Sequence, residues 1–579
     1  MRRVSELESQ DFLGLHEIEM QLDAPEIGPS SAEERPQVTD SSRSTNSVSV
    51  DYRGQRGWLR FGAVVVSAVA TLVLMVVNAL SIWPNADTSW VWLLVGQTTN
   101  RAPRAISLVD GNRVFPDLVF SLFTRGICNL LRINLLGRHF TIVYSAAVLA
   151  GIAIGILRIH GRSSASLVAF SLFSVVVVAD TGVLESLRPG YHAMSAALCI
   201  LFAARRFRRI GMVYHFGEIA LLTLAIASSR FLVVLFVLPL MCTDLALGKF
   251  RVSKSHRLFI ALGLGVTGWL AYDFIPGVRI DFVNIKPEFR GLYSWLPDYY
   301  RSSNFDVKGT ASLPVHGALV AAFLACSLLL LIIRRRNFRA IPVKERFLIV
   351  LTCFSILIGG MALRVGGYLV GAKGYIFVFP IVMCCLTIPT MLSQLVPKIP
   401  KELLVYSATV LVVLFSMVNS RAEATNPIYS ITDAHSLLKR EKVLGAVGLT
   451  DYWTGYGLRS NYGEYPIYNV DNNLRPFFWV VNPWDQWFDR QTGHTDAHRR
   501  IGYVLSTMNC QPTDCDSTGF TPRRDAIVDV LGEPDRWVTQ GKLRLAVYRN
   551  GASSSKEMKL WRQRMDLEKL PYRAVLGND

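Results

Sequence analysis

Three acids lie in the gap between the first two apolar stretches of this 579-residue chain: Asp87, Asp110 and Asp117. The last two bracket the run Asp110-Gly111-Asn112-Arg113-Val114-Phe115-Pro116-Asp117. A carboxylate just outside a membrane can take the proton from an acceptor hydroxyl while a sugar departs from a lipid phosphate, and an inverting transfer needs one such base. The same residues have a plainer reading. Asp110-Gly111-Asn112 suits a turn, and Asp117 suits the first turn of a helix, where an acid complements the macrodipole.

Asp180, Glu185, Arg188 and His192 form a second cluster, at the outer ends of the third and fourth apolar stretches. Ionisable groups at membrane depth face a cavity or pair with one another, because exposure to hydrocarbon costs several kcal/mol. The simple alternative is that Glu185 and Arg188, one helical turn apart, neutralise each other; His192 reads as a proton relay or as a satisfied interfacial histidine. Arg230, Arg364 and Lys373 supply cations at outer ends of spans, against the usual charge trend. With Arg113 they could hold phosphate oxygens, for which the planar guanidinium is suited; snorkelling to lipid headgroups is the competing explanation. Gly359-Gly360 and Gly366-Gly367 flank Arg364 and permit close helix approach or a broken helix there.

The elements that must position these groups are apolar runs. Eleven follow one another: 61–83, 139–157, 165–184, 190–204, 214–229, 231–248, 258–275, 314–333, 347–366, 374–396 and 402–419. A bilayer core requires about 20 residues; several of these runs are shorter, 190–204 among them, and the pair around Ser228-Ser229-Arg230 reads as two short helices joined at the outer surface or as one bent, re-entrant element, the basic runs at 334 and 398 favouring the former. Arg158 to Arg162, the run Arg205-Arg206-Phe207-Arg208-Arg209, Lys249 to Arg257, Arg334 to Arg346 and Lys398 to Lys401 occupy alternate gaps. Short basic loops stay on the side of synthesis, so the gaps carrying acids face outward. The expected fold is an α-helical polytopic membrane protein of about 11 transmembrane helices. Its N-terminus is expected inside and its C-terminus outside, with a small C-terminal α/β periplasmic domain.

Residues 1–57 are rich in Ser, Glu, Asp, Gln and Pro and read as a disordered cytoplasmic tail. The bundle is expected over 58–419, with its first outer loop at 84–138 and an extracytoplasmic domain over 420–579. No apolar stretch precedes residue 61, so the first span is expected to serve as an uncleaved anchor, with Arg53, Arg56 and Arg60 keeping its start inside. Within the first outer loop, residues 115–131 carry apolar side chains at near-helical spacing behind Pro116, which predicts an amphipathic helix in the membrane interface. The outer gap from Pro276 to Pro314 is aromatic and mixed in charge, suiting a headgroup-level or substrate-covering loop.

Beyond residue 420 the pattern predicts a helix over 434–447 and strands over 465–470, 477–481 and 501–508. A helix over 525–531, stopped by Gly532-Glu533-Pro534, precedes strands 536–539 and 543–548 turned at Gln540-Gly541. No internal repeat is evident, which weighs against a transporter built from inverted halves.

Composition agrees with the membrane reading. Apolar residues make up 51% of the chain and mean hydropathy is positive, beyond an ordinary soluble protein. The net charge of +17 resides largely in short gaps between spans, where topology and anionic lipid account for it, so nucleic acid is not an expected partner. Seven of the nine cysteines lie in or beside apolar segments; Cys510 and Cys515 alone sit in polar sequence, and their C-x4-C spacing in an oxidising compartment predicts a local disulfide rather than a zinc site. No Walker loop, G-x-S-x-G elbow, H-E-x-x-H pair or dinucleotide fingerprint is present.

This layout resembles the GT-C class of membrane glycosyltransferases: many spans, an acidic motif in a long first outer loop with interfacial helices, and an outward soluble domain. Tyr452-Trp453-Thr454 and Leu531-Gly532-Glu533-Pro534-Asp535 also look like segments of uncharacterised bacterial multi-pass proteins of this kind. The resemblance implies transfer of a sugar from a polyprenyl-phosphate donor to a glycan, lipid or protein acceptor at the outer face of the bacterial inner membrane. Asp110 or Asp117, with Asp87 farther back, would be the base, and Arg364 with Arg230 or Arg188 would neutralise the departing phosphate. Members of that class often show adjacent acids, whereas Asp110 and Asp117 stand six residues apart. Trp453, Trp479, Trp484 and Trp487 could stack on sugar rings of an acceptor. No motif calls for a metal or other cofactor, a divalent cation being the one candidate. The competing readings are a polymerase or ligase using undecaprenyl-diphosphate-linked chains, and a lipid-linked glycan transporter or non-enzymatic membrane protein.

Overall fold

A computed structural model describes residues 52–81, 92, 106–109, 114–161, 163–189, 193–205, 212–228, 232–248, 260–268, 278–281, 315–333, 341–365, 378–396, 400–425, 431–462, 467–470, 472–474, 501–507, 521–541 and 543–552, some by backbone alone. A helix stands in each of the eleven apolar stretches: α1 (Tyr52–Ser81), then, after the first loop and its helix α2 (Val119–Leu130), α3 (Gly137–His160) and α4 (Ser164–Ala179). The short α5 (Thr181–Ser186) leads to α6 (Ala193–Arg205) and α7 (Met212–Ser228). A single π turn, Val233–Val237, runs directly into α8 (Leu238–Ala246), and α9 covers 260–268. The bundle closes with α10 (Val315–Ile333), α11 (Val343–Val365), α12 (Val378–Leu395) and α13 (Lys401–Thr425). Among the described residues, four helical segments are long and apolar enough to cross a membrane: Trp58–Val77, Gly137–His160, Val378–Leu395 and Glu402–Asn419.

Several boundaries differ from expectation for identifiable reasons. Helix α1 starts at Tyr52, inside the segment expected to be disordered, because its basic first turns continue the helical path of the apolar run. The stretch 165–184 is two helices, broken at Asp180, whose backbone is extended (φ −120°, ψ 104°). The Asp180 carboxylate accepts the Val183 N–H at 3.2 Å, so an acid that could have ended one helix begins another. Helix α13 continues six residues past Asn419 to Thr425.

Small residues let the helices meet closely. A Cβ at Gly155 of α3 would lie 2.5 Å from Ile200 of α6, and one at Gly151 would meet Ala197 at 3.3 Å. The Gly151-x-x-x-Gly155 spacing thus forms a flat seam of the kind that joins helices in lipid, where hydrophobic exclusion gives no preference for helix over solvent. Gly359 of α11 likewise admits Leu235. Outward faces are apolar: Phe61, Val69 and Val73 of α1 and Val410, Leu414 and Met417 of α13 are exposed.

Hydrogen bonds sort the helix ends into two groups. In one, Arg60 pairs with Glu402, and Gln394 donates to Glu345 at 3.1 Å, gathering the starts of α1, α11 and α13 with the end of α12. In the other, Asn419 Nδ2 donates to the Val178 carbonyl, and Ser145 Oγ donates to the Leu187 carbonyl at 3.0 Å. The Phe115 N–H reaches Ser228 Oγ at 3.0 Å at the same end. Strand β1 (Ile106–Val109), from the first loop, pairs in parallel with β2 (Val278–Asp281), so that Val109 faces Asp281 in the register.

The C-terminal segment folds around a five-stranded sheet. Helix α14 (Ile431–Arg440) precedes β3 (Val447–Thr450), and α15 (Tyr452–Tyr462) carries the chain to β4 (Ile467–Asn469). Then come β5 (Ile501–Thr507), α16 (Arg524–Leu531), β6 (Arg536–Gln540) and β7 (Leu543–Ala552). The strand order is β4-β3-β5-β7-β6, with β4, β3 and β5 parallel and the β6–β7 hairpin antiparallel. One face packs Leu437, Leu438, Leu458 and Leu505, and the other packs Val504, Ile527 and Tyr468. The expected helix 434–447 ends at Arg440, because a turn with left-handed Lys442 (φ 58°) frees Val447 to start a strand. The predicted strand 477–481 lies outside the described residues.

Candidate functional site

Asp117 begins the only acid-bearing turn of the first loop that is described, and it is buried at 3% exposure. Tyr144, fully enclosed on α3, donates its hydroxyl proton to Asp117 Oδ1 at 2.6 Å. This bond gives one oxygen of the buried carboxylate a partner in place of water. The aromatic surroundings are dense. Phe120 meets Tyr144 edge to face at 5.7 Å, Trp92 stacks on Phe140 at 4.8 Å, and the Arg125 guanidinium lies over Trp92 at 5.1 Å.

The loop reaches this position through α2, whose burial pattern is the reverse of a helix on a soluble protein. Ser121, Thr124 and Cys128 face inward, while Leu122, Phe123, Ile127 and Leu130 are exposed, Phe123 at 65%. Such a face suits hydrocarbon or the headgroup boundary, and the helix lies within the stretch 115–131 where the sequence predicts one. The peptide bond preceding Pro116 is cis, and Phe115 is extended there, so the chain turns before α2 begins.

Tyr144 and its neighbour Ser145 join the two acidic regions. Tyr144 holds Asp117, and Ser145 bonds the carbonyl of Leu187, the residue before Arg188. Arg188 and Asp180 are both buried, at the turns flanking α5. The structure therefore brings Asp117, Asp180 and the Leu187-Arg188 turn to one end of the bundle. Glu185 lies in α5 and Arg364 near the end of α11, but their side chains are outside the described residues. So are Asp87, Asp110, Arg113, His192, Arg230, Lys373, the Cys510–Cys515 pair and the four tryptophan side chains considered for sugar stacking. Asp110 nevertheless directly follows β1, which β2 anchors.

No described group of three or more His, Cys, Asp or Glu side chains could hold a metal ion. Three residues of this region were not singled out from the sequence. Tyr144-Ser145 is a polar pair within an apolar span, which is the signal that could have marked it. Asn461, in the C-terminal domain, accepts the Arg138 N–H at 3.2 Å and carries no such signal. Comparison with known protein families and with curated proteins finds no match to this chain.

Proposed function

We propose that this chain is a multi-pass membrane glycosyltransferase that takes a sugar from a polyprenyl-phosphate donor and passes it to a glycan, lipid or protein hydroxyl at the outer face of a bacterial inner membrane. Eleven spans, an inward N-terminus and an outward C-terminal domain complete the reading. The observation that carries it is the Asp117–Tyr144 pair, a buried carboxylate beside a helix that turns its apolar side outward. A base at this depth lies within reach of a lipid-borne phosphate without the lipid leaving the membrane. Its surroundings exclude water, which would otherwise compete with the acceptor as nucleophile. Asp117 or Asp110 orients or deprotonates the acceptor, and Arg188 with Arg230 or Arg364 balances charge on the leaving phosphate.

The test is transfer from a radiolabelled polyprenyl-phosphate sugar in membranes containing the full chain. Asp117→Asn should lower kcat at least a hundredfold, within the range of about 10²–10⁴ that general-base catalysis supplies. Tyr144→Phe should lower it less, since the carboxylate stays in place but loses the hydroxyl that orients it. Full activity of both Asp117→Asn and Asp110→Ala would remove the proposed base.

A further inference from the structure

Helix α3 carries Tyr144, yet its own sequence supplies no start signal. Leu136 occupies the N-cap position without a side-chain bond, and Gly137, a poor helix former, opens the first turn. The orphan N–H of Arg138 is instead satisfied from the C-terminal domain, where Asn461 Oδ1 accepts it at 3.2 Å across a sequence separation of 323 residues. The Asn461 amide is oriented for this, because its Nδ2 donates to the Gly457 carbonyl at 2.9 Å within α15. It is also enclosed, at 1% exposure, so water does not substitute readily for the cap. At its other end α15 is fixed by Asp451, which accepts the Thr454 N–H at 2.9 Å and the Thr454 hydroxyl at 2.7 Å. Gly455 allows α15 to lie against β4, since a Cβ there would fall 1.9 Å from Asn469 Oδ1. The helix is thus held at both ends between the sheet and the bundle.

We infer that the C-terminal domain serves as a latch, with Asn461 as a positioning residue that caps α3 from outside the bundle and so fixes the register of Tyr144 against Asp117. Tyr144 stands two turns beyond the capped residues, about 10 Å along a rigid helix. An uncapped first turn frays, and fraying here moves the α3 segment that holds Asp117. The latch itself does not depend on the sugar-transfer reading; only its effect on catalysis does.

Hydrogen exchange on the full chain in lipid nanodiscs, followed by mass spectrometry, tests the latch directly. Asn461→Ala should speed exchange in peptides covering 137–145 about fivefold, the usual consequence of losing a cap, while 164–179 stays unchanged. Asn461→Asp, which keeps an acceptor oxygen for the Arg138 N–H but has no donor for the Gly457 carbonyl, should retain part of the protection. Unchanged exchange at 137–145 in Asn461→Ala would overturn the latch, and so would acceleration shared equally with 164–179, which would mean general loosening. In the transfer assay Asn461→Ala should lower kcat with little change in KM, and Asn461→Asp should lower it less. A wild-type chain that transfers no sugar but shows the exchange pattern would remove the transferase reading and leave the latch standing.

Discussion

His435 lies flat against Tyr462, ring centroids 3.8 Å apart and planes 8° from parallel, and the Tyr462 hydroxyl donates to Thr432 at 3.3 Å. Burial, and then the charge of Lys439 one turn on, hold the imidazole below its ordinary range. As the pH falls, the unfolded chain therefore takes up this proton before the folded one does. The stabilising contribution is complete above the ordinary value near 6.5 and declines as the pH drops through it towards the lowered folded value. Protease resistance of the C-terminal domain in the full protein should be lower at about pH 5 than at about pH 7.5, the pH range in which histidine changes charge. His435→Phe, which keeps a flat ring, should flatten that difference. Asp117 illustrates what a sequence discloses at this scale. Its position in an outward loop nominated it, but its burial under α2 and its Tyr144 partner arise from tertiary packing that spacing does not encode.

Among the elements, the α3–α6 seam is the contact most sensitive to a single side chain. Gly155→Leu would drive atoms into Ile200 and should destabilise the bundle by about 1–3 kcal/mol, read as a lower midpoint in detergent thermal unfolding. Ile200→Ala in the same chain should recover part of the loss, since it vacates the space the new side chain needs. The helices themselves were legible because long apolar runs leave little alternative, and the β6–β7 hairpin was legible from Gln540-Gly541 between alternating strands. What escaped were the events decided by single polar groups. Asp180 split one predicted helix by capping the next, and the turn at Lys442 ended α14 early enough for Val447 to enter the sheet. In both cases a local hydrogen bond or backbone preference outweighed a periodicity that continued through it.

Across the whole molecule, hydrogen bonds and ion pairs gather described helix ends into two groups. Arg60–Glu402 and Glu345–Gln394 mark one, and Asp117, Ser228, Asn419 and the docked C-terminal domain mark the other. Under the proposed topology, reporter fusions after Arg209 and Arg339 should give a cytoplasmic signal and a fusion after Asn419 an outward one. An inward signal after Asn419 would place the C-terminal domain on the wrong side for the reaction proposed. The pairing of β1 with β2 also has a consequence for biosynthesis. Their registered residues Ile106 and Val278 are separated by the whole chain from α2 to α9. At about 5–20 residues per second, a ribosome needs on the order of 10–30 s to deliver the second strand after the first. During that interval the segment preceding Asp110 lacks its partner strand, so the acidic loop is completed only after the helices from α3 to α9 have been made, and a chain stalled before residue 278 carries every residue of that loop without its final support.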